Sequence, residues 1–231
     1  REPEIADLQQ LLTAMGANVQ GAGTDTIRIE GVAHLTPAEH TIIPDRIEAG
    51  TFLVAGAMTK GDVTVVNVCP EHLFPVIDKL QEIGAAVTCG TSWIRVSADK
   101  LKGVDVKTLP HPGFPTDLQA PMLSLLTVAK GTSIITETVF ENRFKHVDEM
   151  ARMGARIKVE GRTAVIRGVS KLTGAIVAAP DLRAGAALVL AALTAEGTSE
   201  IDHVVHIDRG YADFEKKLQL LGASIMRQKS E

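Results

Sequence analysis

The chain repeats one short phrase four times at a nearly constant interval, and this repeat limits the folds that the sequence can adopt. A long apolar residue followed by Gly-Ala occurs in TAMGAN, QEIGAA, ARMGAR and QLLGAS, and the steps between the glycines are 68, 70 and 68 residues. Apolar residues precede each glycine at helical spacing, which predicts four amphipathic helices. A glycine directly after the last apolar residue can take the left-handed cap conformation and so end the helix.

After each glycine the period of the apolar residues changes to two, which is typical of a strand. Apolar positions flank the turn sequences GAG, GTS and EGRT in the first three copies: Val19, Ile27 and Ile29; Val87, Ile94 and Val96; Ile157, Val159 and Val165. We therefore expect three β-hairpins. The fourth copy runs into SIMRQKSE, so its second strand is expected to be absent or out of register.

A second recurring piece lies between these units. The segments RIEAGTFLVAGAMTKG, LQAPMLSLLTVAKG and LRAGAALVLAALTAEG are apolar, end in glycine and precede strand-like sequences. Because they carry almost no charge, we expect helices that are buried on most sides. The full repeat is longer than the familiar solenoid units. The pattern predicts an α/β fold in which three units wrap their sheets around a bundle of buried helices.

Bulk composition restricts the classes of function. The 231 residues allow one or two domains, aromatic residues make up only 3%, and the net charge is −4. This charge argues against a general nucleic-acid or membrane surface, so an anion site would have to be local and built from a few arginines. We expect neither a signal peptide nor a segment that spans a bilayer, and we expect a soluble, cytoplasmic protein. Neither the two cysteines nor the histidines have the spacing of a metal site.

Charged residues concentrate in the segments that join strands to helices. If the repeats surround one axis, these segments meet at one end, and an arginine beside a helix N-terminus can bind phosphate or carboxylate. The structural alternative is that Asp181 and Arg183 only cap and pair at a helix start, and that Arg209 pairs with Asp208. The set comprises Asp45, Arg46, Glu48, Asp117, Glu141, Arg143, Asp181, Arg183, Asp208 and Arg209.

Asp117 is the sharpest single candidate. In HPGFPTDLQAPM it follows two prolines and a glycine, and no cation lies near it in sequence. An uncompensated carboxylate in a stiff loop is a candidate base or hydroxyl acceptor. The alternative is that Asp117 caps the following helix.

The segments FPTDLQAPM, TVFENRFKHVDEMARMGA, PDLRAGAALVLAAL and HIDRGYADFEKKLQLLGA together resemble the second half of the UDP-N-acetylglucosamine 1-carboxyvinyltransferase family, the MurA-type enolpyruvyl transferases. The resemblance covers essentially the whole chain. It implies an inside-out α/β barrel built from pseudo-symmetric repeats with buried helices. It also implies that residues 1–41 finish a first domain and that residues 42–231 form a second barrel domain.

The resemblance further implies a reaction. These enzymes transfer the enolpyruvyl group of phosphoenolpyruvate to the 3-hydroxyl of UDP-N-acetylglucosamine in peptidoglycan synthesis, with release of phosphate and without a metal or organic cofactor. Asp117 and Arg209 match catalytic positions, and Val139 matches a position that lines the sugar-nucleotide site. Positions around the phosphoenolpyruvate pocket are matched by Arg143, Asp181, Arg183 and again Arg209. The interdomain stretch near the substrates is matched by Asp45, Arg46 and Glu48.

The sequence also departs from the family. Its members are nearly twice as long, and their first half carries a mobile cysteine loop and the lysine and asparagine that hold phosphoenolpyruvate. Neither Cys69 nor Cys89 matches that loop. We therefore expect the chain to be a C-terminal portion whose partner is the missing N-terminal half. Two alternatives stay open: a related shikimate 3-phosphate enolpyruvyl transferase, and a folded non-catalytic domain that acts in binding or assembly.

Overall fold

The structure is a computed structural model that describes residues 1–228. Its helices and strands occur in the following order: α1 (Pro3–Ala14), β1 (Asn18–Gln20), β2 (Arg28–Glu30), α2 (Arg46–Met58), β3 (Asp62–Val66), α3 (Phe74–Ile83), β4 (Ala86–Cys89), β5 (Trp93–Ser97), β6 (Val106–Lys107), α4 (Gln119–Leu126), β7 (Thr132–Thr136), α5 (Val147–Arg152), β8 (Arg156–Glu160), β9 (Thr163–Arg167), β10 (Leu172–Thr173), β11 (Ile176–Ala178), α6 (Leu182–Thr194), β12 (Ala195–Glu196), β13 (Glu200–Asp202), α7 (Val205–Asp208) and α8 (Phe214–Leu220). Two short 3₁₀ helices, Pro70–Leu73 and Thr116–Leu118, precede α3 and α4.

Three helices form the centre of the molecule. The helices α2, α4 and α6 contact one another, and each also packs against strands. Every residue of α4 is buried. In α2 every residue except Glu48 is buried, and in α6 the stretch Ala184–Ala191 is buried. Burial on all sides explains why these three segments carry no alternating polar face. The prediction of three buried, nearly uncharged helices is confirmed.

Small sheets lie around this bundle. One is three-stranded in the order β3-β5-β4, and another is four-stranded in the order β6-β7-β9-β8. Two parallel pairs, β10-β12 and β11-β13, complete the strands that surround α6. Since α2 packs on β3 and β5, α4 on β7 and β9, and α6 on β10 and β13, the helices are inside and the sheets outside.

The glycines of the repeated phrase end helices as predicted. Gly16, Gly84, Gly154 and Gly222 have φ angles of 94°, 109°, 86° and 95°. At Gly84 the left-handed residue directly follows α3, and the amide of Ala85 donates back to the Leu80 carbonyl at 2.9 Å. This region of φ favours glycine because an L side chain is strained there.

Three of the four copies continue into antiparallel hairpins, β1-β2, β4-β5 and β8-β9, as their apolar alternation predicts. In the fourth copy residues 223–228 form no strand, so the first strand that the pattern predicts is missing among the described residues. The rest of SIMRQKSE, residues 229–231, lies outside the described residues.

Residues 1–41, called here the N-terminal unit, contain α1 and the β1-β2 hairpin. Val19 on β1 lies opposite Ile29 on β2, and the Thr36 amide donates to the Met15 carbonyl at 2.8 Å. The chain then runs through residues 42–45 into α2. Within residues 1–228, no helix combines the length and hydropathy that a membrane crossing requires.

Candidate active site

A cleft of about 500 Å³ lies where the N-terminal unit meets the first turns of two central helices. Glu4 lines it from the N-terminal unit, Asp45 and Arg46 from the start of α2, Arg183 from the start of α6, and Asp117 from the 3₁₀ helix before α4. Residues far apart in sequence thus share one concave surface. Concave sites with a few converging polar groups are the usual place for small charged ligands.

A second cleft, of about 430 Å³, lies beside α3, β6 and β7. It is lined by Asp78, Lys79, Asp105 and Lys107 among others, and it contains none of the predicted site residues. Its mixed and solvent-exposed charges give no convergent receptor. The first cleft is therefore the candidate site.

Asp117 is held by two arginines from different elements. The Arg143 Nη2 donates a hydrogen bond to Oδ1 of Asp117, and Arg183 Nε lies 3.4 Å from the same oxygen as an ion pair without hydrogen-bond geometry. The sequence-based view of Asp117 as an uncompensated carboxylate is wrong, because two cations that are distant from it in sequence lie beside it in the fold. Among the described residues, Oδ2 of Asp117 has no hydrogen-bond partner, so it can accept one from a ligand.

Asp117 does not cap α4. Leu118 occupies the N-cap position without a side-chain hydrogen bond, and the Leu118 amide donates to the Pro115 carbonyl at 3.1 Å. The 3₁₀ turn therefore provides a carbonyl acceptor for a backbone amide that would otherwise donate to a capping carboxylate. The carboxylate of Asp117 is left for the two arginines and the cleft.

Capping carboxylates start the other two central helices. Oδ1 of Asp45 accepts from the amides of Ile47 and Glu48 at 2.7 and 3.1 Å. Oδ1 of Asp181 accepts from the amides of Arg183 and Ala184 at 3.0 and 2.9 Å. The structural interpretation of Asp181 as a helix cap is thus confirmed, and its side chain fixes the turn that carries Arg183.

Aromatic rings orient the two arginines of the site. The guanidinium carbon of Arg183 lies 5.5 Å from the Tyr211 ring centroid, and that of Arg143 lies 4.9 Å from the Phe140 ring centroid. The Tyr211 hydroxyl is 2.9 Å from Oγ1 of Thr51 on α2, and burial raises the pKa of Tyr211. These cation–π contacts restrict the guanidinium planes before any ligand binds.

The buried arginine of α2 has a different set of partners. Arg46 is 7% exposed, and its guanidinium donates to both carboxylate oxygens of Glu4 at 2.8 and 3.2 Å and to Glu2 at 3.4 Å. Burial is the largest single effect on the pKa of Glu4 and acts to raise it, but the hydrogen bonds and the nearby positive charges, chiefly those of Arg46, together lower the pKa below its ordinary value. Arg46 therefore joins the N-terminal unit to α2 through its hydrogen bonds to Glu4. A substrate that contacts Arg46 would bind a guanidinium that Glu4 already occupies.

The remaining predicted residues lie at the edges of this region. Arg209 is exposed directly after α7, and the next residue, Gly210, approaches Arg183: a Cβ placed there would be 3.6 Å from Arg183 Nη1. Asp208 pairs with Arg227 rather than with Arg209. Val139 is 42% exposed and lies on the same loop as Arg143.

Glu48 and Glu141 lie apart from the arginine pair. Glu48 pairs with Lys217 on α8 at 2.6 Å, and Glu141 is exposed on the loop before Arg143. The structure therefore brings Asp45, Asp117, Arg143 and Arg183 together. The roles of all the predicted site residues in catalysis and substrate binding stay predictions.

Sequence reasoning did not single out three buried polar side chains near this site. Glu137 is 1% exposed and accepts four hydrogen bonds, while Gln119 and His146 are fully buried and their side-chain polar atoms have no partner among the described residues. A polar residue in an otherwise apolar stretch, as Gln119 is in LQAPMLSLL, was the available signal.

Burial lowers the pKa of His146 to about 4. The Arg143 guanidinium acts in the same direction, and the Asp181 carboxylate opposes it. His146 is thus neutral at physiological pH and packs behind the loop that carries Arg143. Across residues 1–228 no group of three or more His, Cys, Asp or Glu side chains is arranged to hold a metal ion.

Helices enclosed by small sheets define an inside-out α/β barrel, and a carboxylate and two arginines lie together at one end of its helix bundle. The family model described as EPSP synthase (3-phosphoshikimate 1-carboxyvinyltransferase) matches residues 1–218. The chain belongs to this enolpyruvyl transferase family.

Relatives and solved structures agree with this assignment. UDP-N-acetylglucosamine 1-carboxyvinyltransferase 1 of Caldanaerobacter subterraneus subsp. tengcongensis is 63% identical and is matched over 98% of this chain and 55% of its own length. UDP-N-acetylglucosamine 1-carboxyvinyltransferase of Halothermothrix orenii is 59% identical, with 99% and 55% covered. The enolpyruvyl transferase NikO from Streptomyces tendae superposes with a TM-score of 0.87 at 29% identity, covering 98% of this chain and 55% of that chain.

EPSP synthase from Acinetobacter baumannii has the same fold, with a TM-score of 0.72 at 19% identity over 94% of this chain and 54% of that chain. The predicted fold class and the resemblance to the C-terminal portion of these enzymes are thereby confirmed. The chain spans about half the length of the curated relatives that it matches, 55% in the two given above.

Proposed function

We propose that the chain is the C-terminal part of an enolpyruvyl transferase that moves the enolpyruvyl group of phosphoenolpyruvate to the 3-hydroxyl of UDP-N-acetylglucosamine. The observation that carries this proposal is the state of Asp117. Two arginines hold its Oδ1, while Oδ2 has no partner among the described residues and is available to a substrate hydroxyl. The names of relatives at 56–63% identity supply the substrates.

The proposed chemistry uses this arrangement directly. The sugar oxygen attacks C2 of phosphoenolpyruvate while Oδ2 of Asp117 takes the hydroxyl proton and C3 gains a proton, which gives a tetrahedral intermediate. The C2–O bond to phosphate then breaks, C3 loses a proton, and the enol ether and inorganic phosphate remain. Arg143 and Arg183 would hold the phosphate and carboxylate charges, since fixed guanidinium groups stabilise such charges most strongly in a partly dehydrated site.

The other predicted residues take supporting parts in this proposal. Arg209, one residue from the Gly210 that abuts Arg183, would add a third cation for phosphoenolpyruvate. Val139 would line the sugar-nucleotide site from the Arg143 loop, and Asp181 would act by fixing the first turn of α6. Arg46 would act near the substrates by holding Glu4 and the N-terminal unit at the cleft.

The proposal also covers domain organisation and partners. Residues 1–41 would complete a first domain, residues 42–231 would form the second, and the site would be completed by the N-terminal half of such an enzyme. The 55% coverage of the relatives supports this view. A place in peptidoglycan synthesis and a cytoplasmic location belong to the same proposal and follow from the resemblance.

The second candidate function is that of a shikimate 3-phosphate enolpyruvyl transferase. It is favoured by one observation: the matching family model is described as 3-phosphoshikimate 1-carboxyvinyltransferase. A shikimate 3-phosphate enolpyruvyl transferase would use the same fold and the same anion chemistry. Relatives above 55% identity carry the sugar-nucleotide name, which is why we place UDP-N-acetylglucosamine first.

The test measures phosphate release from phosphoenolpyruvate. The chain is assayed alone and after mixing with the separately produced N-terminal part of a curated relative, with UDP-N-acetylglucosamine or shikimate 3-phosphate as acceptor. We expect release only from the mixture and only with the sugar nucleotide. Release with shikimate 3-phosphate alone would establish the second candidate, and full release from the unmixed chain would contradict the proposed need for another half.

If neither acceptor supports release, a thermal melt decides between the remaining possibilities. Stabilisation of the mixture by UDP-N-acetylglucosamine without turnover would indicate a binding module, because a ligand that binds only the folded state raises the melting temperature. A melting temperature unchanged by any of these ligands would contradict the proposed function.

A further inference from the structure

Glu137 is a buried carboxylate that the proposed chemistry does not use. It follows β7 directly and is 1% exposed. Among the described residues no Lys, Arg or His side chain forms an ion pair with it. Burial of an unpaired charge is costly unless hydrogen bonds satisfy it, so the partners of Glu137 indicate what it is kept for.

Four donors from three segments converge on this carboxylate. Oε1 accepts from Thr108 Oγ1 at 2.7 Å, from the Val139 amide at 2.8 Å and from the Phe140 amide at 2.9 Å. Oε2 accepts from Thr116 Oγ1 at 2.9 Å. Hydrogen bonds to a charged acceptor are roughly twice as strong as neutral ones, so this group of contacts is rigid.

The same segments carry both halves of the central ion pair. Thr116 directly precedes Asp117, while Val139 and Phe140 begin the loop that leads to Arg143. The Phe140 ring also lies under the Arg143 guanidinium, with 4.9 Å between the ring centroid and the guanidinium carbon. One carboxylate therefore joins the Asp117 loop to the Arg143 loop.

A further set of contacts holds Glu137 itself in place. Its own amide donates to the Arg162 carbonyl at 2.8 Å, and the Thr138 amide donates to Thr108 Oγ1 at 2.9 Å. The backbone around the carboxylate is thus fixed to neighbouring chain segments. The backbone that carries the carboxylate is therefore anchored by contacts other than those that the carboxylate makes with the two loops.

We propose that Glu137 is a positioning residue that sets the distance and orientation between Asp117 and Arg143. It does so through Thr116 on one side and the Val139 and Phe140 amides on the other, without contacting substrate. This inference deepens the proposed function, because the geometry that it fixes is that of the proposed base and its arginine.

The first test needs no activity. Side-chain ¹⁵N spectra of this chain report the Arg143 Nε–H, which is buried, and an Arg143→Lys variant assigns its signal. In Glu137→Gln the amide oxygen can keep the three donors of Oε1, but the NH₂ group faces Thr116, so the Asp117 side of the junction changes. We expect the Arg143 signal to shift and its exchange with water to become at least about tenfold faster.

A matched control distinguishes this effect from a lost buried hydrogen bond. Ser133→Ala, at the other end of β7, removes the Ser133 Oγ that accepts from the Val104 amide at 3.1 Å. This control should leave the Arg143 signal unchanged. An equal response, or none, in the two variants would overturn the proposal. If Glu137→Gln does not fold, Thr116→Val, which removes one donor only, must give the same direction of shift.

The second test uses the active mixture. Glu137→Gln should lower kcat/KM about 10- to 100-fold, the range expected for a misplacement near 1 Å, and Ser133→Ala should not. In an Asp117→Asn background the same change should have little further effect, since both act on one unit. Additive losses would contradict positioning. If the unchanged mixture shows no turnover, that result counts against the proposed function but not against the positioning role of Glu137. The positioning role is then tested by the Arg143 signal alone.

Discussion

Asp117 presents two different oxygens to its surroundings. Oδ1 is engaged by Arg143 and by Arg183, whereas Oδ2 has no partner within residues 1–228. A carboxylate held by two arginines keeps its orientation, and its free oxygen can accept a proton or a hydrogen bond. The pair thus prepares Asp117 for contact with a hydroxyl group.

We expect Asp117→Asn to separate activity from stability. In the active mixture turnover should fall at least about 100-fold, because the amide cannot take a proton. The melting temperature should change little, since a pair with one partner 42% exposed contributes about 1 kcal/mol or less. Phosphate release and a thermal melt measure the two effects.

The matched control is Asp62→Asn, which breaks the exposed pair with Arg95 on the outer sheet and should change neither quantity much. A large loss of stability in Asp117→Asn with turnover near that of the unchanged protein would point to a purely structural role.

His146 makes the stability of the fold depend on pH. Its ring is fully buried, and burial lowers its pKa to about 4 from the ordinary value of 6.5. Because the unfolded chain binds a proton more readily between these values, stability is lost as pH falls from 6.5 toward 4. Above pH 6.5 this contribution is fully present.

We therefore expect one residue, His146, to account for a measurable part of the pH dependence of the free energy of unfolding. Between pH 7 and pH 4 the unchanged chain should lose about 3 kcal/mol through His146, and His146→Leu should lack this part of the pH dependence. His34→Leu, at an exposed position of the N-terminal unit, serves as control and should retain it. Identical pH profiles for the His146 and His34 variants would contradict this account.

Contacts between distant residues explain why the site was only partly predictable. The sequence identified Asp117, Arg143 and Arg183 as candidates, but the cations that pair with Asp117 are 26 and 66 residues away, so it was mistaken for an uncompensated carboxylate. Glu137 and His146 gave no sequence signal of burial, because a lone Glu or His is normally exposed. Their environment is set by tertiary packing alone.

At the scale of elements, α2 and α6 begin in the same way. Each has an aspartate N-cap, and each has an arginine at its first or second residue that lines the cleft. The carboxylates satisfy the first backbone amides, and the positive ends of both helix dipoles face the cleft. At these two helix ends the capping aspartate therefore also fixes the turn that carries the arginine.

We expect Asp181→Ala to destabilise the fold by about 1 kcal/mol, the usual effect of removing an N-cap. Asp181→Asn is the matched variant, because asparagine caps equally well, and it should restore most of that loss. Urea unfolding of the three proteins measures the effect. Equal destabilisation in both variants would indicate that the charge of Asp181, rather than its cap, is what the fold requires.

Most elements could be predicted from sequence because their signals are local. Apolar periodicity and the repeated glycines indicated every helix except α7, the three hairpins and the burial of α2, α4 and α6. The 3₁₀ helix Thr116–Leu118 was not predicted, and Asp117 was considered as a cap in its place. The choice between a side-chain cap and a 3₁₀ turn depends on the arginines that compete for the carboxylate.

For the whole molecule, Arg46 joins two parts of the chain. It is almost fully buried, and its partners Glu2 and Glu4 belong to the N-terminal unit. The family resemblance placed Arg46 near the substrates, and that role stays a prediction beside the observed contacts with the N-terminal unit. Removal of one partner from a buried pair leaves the other charge uncompensated, so this junction is sensitive to substitution.

We expect Arg46→Met to loosen the N-terminal unit while the barrel stays folded. Amide hydrogen exchange in α1 should become at least about tenfold faster, with exchange in α4 unchanged. Arg95→Met, which breaks an exposed pair with Asp62, is the control and should leave α1 unaffected. Unchanged exchange in α1 of the Arg46 variant would contradict this view of the junction.

The central claim is that one cleft at the end of the helix bundle receives the acceptor hydroxyl at Asp117. A crystal structure of the mixture with UDP-N-acetylglucosamine tests it most directly. We expect the sugar 3-hydroxyl within about 3 Å of Oδ2 of Asp117, with Arg143 still on Oδ1. Sugar bound in the cleft beside α3, or a 3-hydroxyl directed away from Asp117, would contradict it.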